Sequence, residues 1–85
     1  MNTKHQIDQP AYYYIRVQGR LGSTWSEYFE PLTIHFEPGS QDEVFTILKG
    51  VIVDQAALHG ILHNLYQLGF PLVSIEKREE MMGHG

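Results

Sequence analysis

His59 and His63 stand four residues apart, the spacing at which two imidazoles on one helix face can share a metal ion. The residues between them, 60–62, are Gly-Ile-Leu, so the glutamate of the H-E-x-x-H hydrolase motif is missing. The sequence identifies no aspartate, glutamate or cysteine as a third ligand. We therefore predict no metal site and no cofactor, and His59 and His63 are the residues that a metal would use if that prediction failed.

Serine and histidine side chains form no recognisable catalytic arrangement. Ser23 or Ser26 could be paired with His35 or His59, but a chain with five histidines offers such pairs by chance, and it has no nucleophile elbow of the G-x-S-x-G type. The carboxylate pairs at 42–43 and 79–80 fall in a turn and in a tail. There we expect them to be exposed to water rather than enclosed in a dry pocket, as a catalytic acid would be. We therefore predict that the protein is not an enzyme.

The composition of the chain disfavours several other classes of function. Six Lys+Arg against ten Asp+Glu give a formal net charge of -4, which opposes broad binding to nucleic acid or to an anionic membrane. The 85 residues suffice for one domain, include no cysteine, and hold no apolar run near the roughly 20 residues of a membrane span. We expect a cytoplasmic protein that binds neither nucleic acid nor membranes, although Tyr12 and Tyr14 could stack on bases.

Local patterns predict four strands and one helix. Alternating or continuous apolar residues, typical of strands, occupy four segments. These segments are 12–20, 32–37, 44–53 and 71–77. A stripe of leucine, isoleucine and alanine between the N-cap residue Asp54 and the C′ residue Gly69 predicts a helix over 55–68. The third strand is apolar on both faces, and Gly50 inside it predicts a bulge or a close approach of another backbone segment.

This order predicts an α+β protein, a two-layer sandwich with the element order β-β-β-α-β. Residues 38–42 are a turn by composition, so we expect the first three strands to form a meander. A right-handed crossover through the helix then makes the last strand parallel to the third in a mixed four-stranded sheet, with the helix on one face. We assign residues 1–10 to a flexible N-terminal arm, 11–78 to a single domain and 79–85 to a flexible tail.

Between the first two strands, Ser23 could cap a single helical turn that ends at Pro31. Trp25 and Phe29 lie four residues apart on one side of that turn, and we expect them to plug one end of the small core. An aromatic anchor for a partner is the alternative for Trp25, and the sequence does not decide between the two.

Two stretches of the chain resemble motifs of a known family. Residues 19–29 fit the pattern G-x-L-x-x-x-W-S-x-x-F, residues 54–62 fit D-Q-A-A-L-H-G-[IL]-L, and residues 68–74 fit its L-G-x-P-L-[LV]-S ending. The chain thus resembles, from about residue 12 to 78, a family of short, uncharacterised bacterial proteins. The resemblance implies no activity or catalytic residue, but it implies that Trp25, Asp54, His59 and Gly60 belong to one shared design.

A single helix cannot cover both faces of a four-stranded sheet. We therefore expect the uncovered face to be an interface between two copies, formed by Tyr12, Tyr14, Phe45 and Ile47. The second choice is the helix face with Ala56 and Gly60, where small residues admit a close approach. There the alternative is that Gly60 merely lies beside a crowded loop of the same chain.

These patterns predict a homodimeric, non-enzymatic binding or scaffold module, with a protein partner that the sequence does not identify. The alternative function is a ligand- or metal-sensing regulator that uses the polar helix face with His59 and His63. A small enzyme whose site forms between subunits is a third option.

Overall fold

A computed structural model of the chain describes residues 10–78. The predicted tail and all of the predicted arm except Pro10 lie outside these described residues. The domain has five main elements, which we number in chain order. They are β1 Ala11–Gln18, β2 Thr33–Pro38, β3 Val44–Ile52, α1 Gln55–Gln67 and β4 Leu72–Arg78. A three-residue 3-10 helix, Ser23–Trp25, lies where the helical turn was predicted, but Gly22 rather than Ser23 is its N-cap. The predicted α+β sandwich with β-β-β-α-β order is confirmed.

The strand order in the sheet is β2-β3-β1-β4, and all three neighbouring pairs are antiparallel. The predicted mixed sheet and meander are therefore wrong in detail. β4 does run parallel to β3, as the crossover requires, but β1 lies between them and pairs with both. Likewise β3 lies between β1 and β2, because residues 19–32 are long enough to cross over a strand rather than close a hairpin. Each crossover thus skips one strand, as in a split β-α-β unit.

The core lies between α1 and one face of the sheet. The alternate residues Tyr13, Ile15 and Val17 of β1 are buried on this face, as their spacing predicts. From α1, Leu58 and Leu65 are buried, and the rest of the predicted stripe packs against the core half-buried. The crossover segment 19–32 adds three buried side chains over the other half of the sheet. These are Leu21, Phe29 and Leu32.

Both ends of α1 have the predicted caps. The Asp54 side chain accepts a hydrogen bond of 2.8 Å from the Ala57 N–H. At the other end Gly69 has φ +91°, and the Phe70 N–H donates to the Leu65 carbonyl at 3.0 Å. This is the bonding of a Schellman motif, which satisfies carbonyls that the helix leaves free. The chain can therefore turn sharply from α1 into β4.

Gly50 marks a close backbone approach, which was one of its two predicted roles. Its φ is +153°, and an added Cβ would lie 3.0 Å from the Leu32 side chain and 3.3 Å from the Leu32 Cα. The β1–β3 register passes Gly50 without a shift, so there is no bulge at this position. The glycine therefore lets the end of the crossover segment lie against β3.

Candidate binding surfaces

The sheet face opposite α1, which we call the open face, collects the four residues predicted as an interface. The β1–β3 register places Tyr12 opposite Val51, Tyr14 opposite Lys49, and Arg16 opposite Ile47. Phe45 follows opposite Gln18 at the end of the same face. Tyr12, Tyr14, Phe45 and Ile47 thus share one face, as strand alternation requires.

Cationic side chains cover much of the aromatic surface of the open face. The Arg78 guanidinium carbon lies 3.9 Å from the centre of the Tyr14 ring, and the Lys49 Nζ lies 5.2 Å from it. The Arg16 guanidinium lies 5.1 Å from the Phe45 ring centre. Such cation–π contacts satisfy the rings without a partner molecule. The open face is therefore less apolar than its tyrosines and phenylalanine suggest.

A shallow depression of about 220 Å³ lies around Tyr14 on this face. Two ion pairs contribute to its lining, one between Arg16 and Glu37 and one between Arg78 and Glu76, the latter with an N–O distance of 2.8 Å. Lys49, His35 and Ser74 complete its polar wall. The lining of the depression therefore carries both signs of charge rather than a single-sign field.

A second surface, missed by the sequence analysis, runs along the outer side of β4. We call it the β4 ridge and define it as Tyr66, Leu72, Val73 and Ile75, four large apolar side chains with exposed fractions of 76%, 51%, 49% and 37%. A register shift opposite Arg16 and Val17 turns Leu72 toward α1, where it lines an apolar pocket of about 200 Å³. The other lining residues are Val17, Leu62, Leu65, Tyr66 and Phe70.

The sequence did contain a signal for the ridge. Residues 72–75, Leu-Val-Ser-Ile, carry no charge and no proline. What the sequence alone lacked was the strand order, because only the order shows that β4 is an edge strand.

The two helical histidines lie on the exposed side of α1. The His63 Nε2 lies 3.5 Å from the Gln67 Nε2, and no contact joins His59 to His63. Within residues 10–78 no group of three or more His, Cys, Asp or Glu residues is arranged to hold a metal ion.

Ala56 and Gly60, the second predicted interface, are also exposed on α1. A Cβ added at Gly60 would meet nothing within 4 Å. The crowded loop of the same chain, which was one explanation for Gly60, is therefore not found among the described residues.

Of the two aromatic residues predicted to plug the core, Phe29 has this role. It is buried, whereas Trp25 is 36% exposed. Trp25 contacts Tyr28 edge to face at 5.4 Å between ring centres, and Tyr28 contacts Phe29 in the same way at 5.1 Å. Trp25 therefore lies one layer further out than Phe29, at the surface.

The geometry defines a class: a small α+β protein with one helix, an open sheet face and an apolar sheet edge. The chain also belongs to a family defined by sequence. The model of the family described as domain of unknown function (DUF8691) matches residues 12–76, which is most of the chain. No curated protein and no solved structure matches it. None of the helices in residues 10–78 has the length and apolar character needed to cross a membrane.

Proposed function

We propose that the protein is a small self-associating binding module that acts through its surfaces and carries out no chemistry of its own. The observation that carries the proposal is the amount of apolar side-chain surface outside the core. Nine large hydrophobic residues of the described chain are at least 36% exposed. Monomeric proteins rarely expose large contiguous apolar patches, and the four residues of the β4 ridge are exposed on and beside one strand.

A homodimer is the simplest assembly that removes this surface from water. A twofold interface uses the same patch on both subunits, so one exposed patch is sufficient. The open face then remains available for a second protein. Its mixture of cations, carboxylates and aromatic rings suits contact with a protein surface. The net charge of -4 supports a protein rather than a nucleic acid as that partner.

We also propose that this module works in the bacterial cytoplasm. Its support is the resemblance of residues 19–29 and 54–62 to bacterial motifs and the absence of cysteine from the sequence. The alternative is a sensor that uses His59 and His63, which among residues 10–78 belong to no group of three or more metal-binding side chains.

Light scattering over a wide range of protein concentration tests self-association. The expected result is a mass of twice 9.8 kDa at high concentration, falling toward 9.8 kDa on dilution. Gly60→Gln should leave this behaviour unchanged, because Gly60 lies on the helix away from the β4 ridge. A mass of one chain at every concentration would contradict the proposal.

A further inference from the structure

The two edges of the sheet differ in how they are protected. Exposed edge strands usually carry charges or proline, which prevent pairing with another chain. The edge strand β2 follows this rule, since it contains Glu37 and ends at Pro38. The edge strand β4 follows it only in its second half, where residues 76–78 are Glu-Lys-Arg. Its first half, residues 72–75, is uncharged and exposed, with three apolar residues and one serine, and no strand of the described chain pairs with its outer side.

We propose that the outer edge of β4 pairs antiparallel with β4 of a second copy, about a twofold axis at Ser74. This inference rests on the proposed self-association and specifies its geometry. The product is a continuous eight-stranded sheet with both α1 helices on one side.

The register follows from which side of the sheet each residue occupies. Ile75 lies opposite Ile15, which is fully buried under α1, so Ile75 points to the α1 side. Alternation from Ile75 through Ser74 puts Val73 on the same side, at the register shift that separates Ser74 from Leu72. Opposite residues of an antiparallel pair share a side, so an axis at Ser74 sets Val73 of each copy against Ile75 of the other.

Other registers with the same sidedness match the residues less well. An axis at Ile75 would set Val73 against Lys77 twice. An axis at Glu76 would set two carboxylates against each other and Ile75 against Lys77. Only the Ser74 axis pairs both Val73 and Ile75 with an apolar residue of the other β4. The Ile75 axis pairs only Ile75 with its own copy, and an axis at Val73 would set Ile75 against Pro71, which lies outside β4 and has no N–H to donate. Tyr66, the most exposed residue of the ridge, lies on that side beside Leu72.

A matched pair of variants tests the location of the seam. Val73 and Val51 are exposed to nearly the same extent, 49% and 47%, but Val51 lies on the open face. Val73→Lys should raise the dimer dissociation constant roughly a hundredfold, since each dimer would place two charges at the seam. Val51→Lys should leave it within about threefold of the original value. Circular dichroism should show both variants folded.

Single cysteines test the register, because the chain contains none of its own. Val73→Cys mixed with Ile75→Cys should form a mixed disulfide on mild oxidation, faster than either variant alone forms a symmetric one. This measurement also decides the case in which both lysine variants dissociate or one fails to fold. A missing mixed disulfide would overturn the inference.

The outcomes separate the two proposals. A wild-type protein that is monomeric at all concentrations overturns self-association and the β4 seam together. A wild-type dimer that Val51→Lys dissociates and Val73→Lys does not overturns the β4 seam alone. The same holds for a dimer that resists both substitutions.

Discussion

At the scale of single residues, Thr46 is the polar group on which the core depends most. It is fully buried. Its hydroxyl donates a hydrogen bond of 2.6 Å to the Gly19 carbonyl and accepts one of 3.1 Å from the Leu21 N–H. Together with the Gly19 N–H, which donates to the Val44 carbonyl at 2.8 Å, these two bonds attach the start of the crossover segment to β3.

Thr46→Val should lower the free energy of unfolding by about 1–3 kcal/mol, because it keeps the shape but leaves a buried N–H and carbonyl without a partner. Thr46→Ser is the matched control, since it keeps the hydroxyl and should be the milder change. Urea titration of the two variants measures the difference. Equal stability of Thr46→Val and the wild type would show that water replaces the hydroxyl.

A substitution at Gly60 should have the opposite effect on stability. Glycine inside a helix costs about 1 kcal/mol relative to alanine, and the space around Gly60 is open. Gly60→Ala should therefore raise the free energy of unfolding by about 1 kcal/mol in a urea titration, with no change in oligomeric mass. A variant that is instead destabilised or dissociated would mean that another chain lies against this glycine, and the Ala56–Gly60 face would become the interface.

At the scale of elements, helix α1 depends on its first cap. Asp54 accepts from the Ala57 N–H, and its charge lies at the positive end of the helix dipole. Asp54→Ala should cost about 1 kcal/mol of unfolding free energy, whereas Asp54→Ser, which keeps an acceptor, should cost less. Thermal or urea unfolding of both variants checks this. Unchanged stability of Asp54→Ala would assign Asp54 a role other than folding.

The elements were also the part of the structure that the sequence predicted best. Strand alternation in β1 and the capped stripe of α1 are local signals, and both appear within one or two residues of the predicted bounds. The strand order was not predicted, because pairing depends on how connections cross the sheet and leaves little local trace. The usable signal was the segment 19–32, which is too long for a hairpin loop and contains Leu21, Phe29 and Leu32, the three residues that are buried.

The missing strand order also explains which features of the surfaces could be predicted from the sequence. Alternation placed Tyr12, Tyr14, Phe45 and Ile47 on one face correctly. It could not show that Arg16, Lys49 and Arg78 lie against those rings. Arg78, for example, comes near Tyr14 because β4 pairs with β1, and that pairing was not predicted. The edge position of β4 was hidden for the same reason.

At the scale of the whole molecule, the first strand is at the centre of the sheet and needs both β3 and β4 as neighbours. During synthesis on a ribosome, the residues of β1 are added long before residues 72–78. The edge of β1 that pairs with β4, residues 12–17, would then lack its neighbouring strand through most of synthesis. Contacts so distant in sequence also make a domain fold slowly for its size. The nascent chain should therefore be the form of this protein most in need of a chaperone.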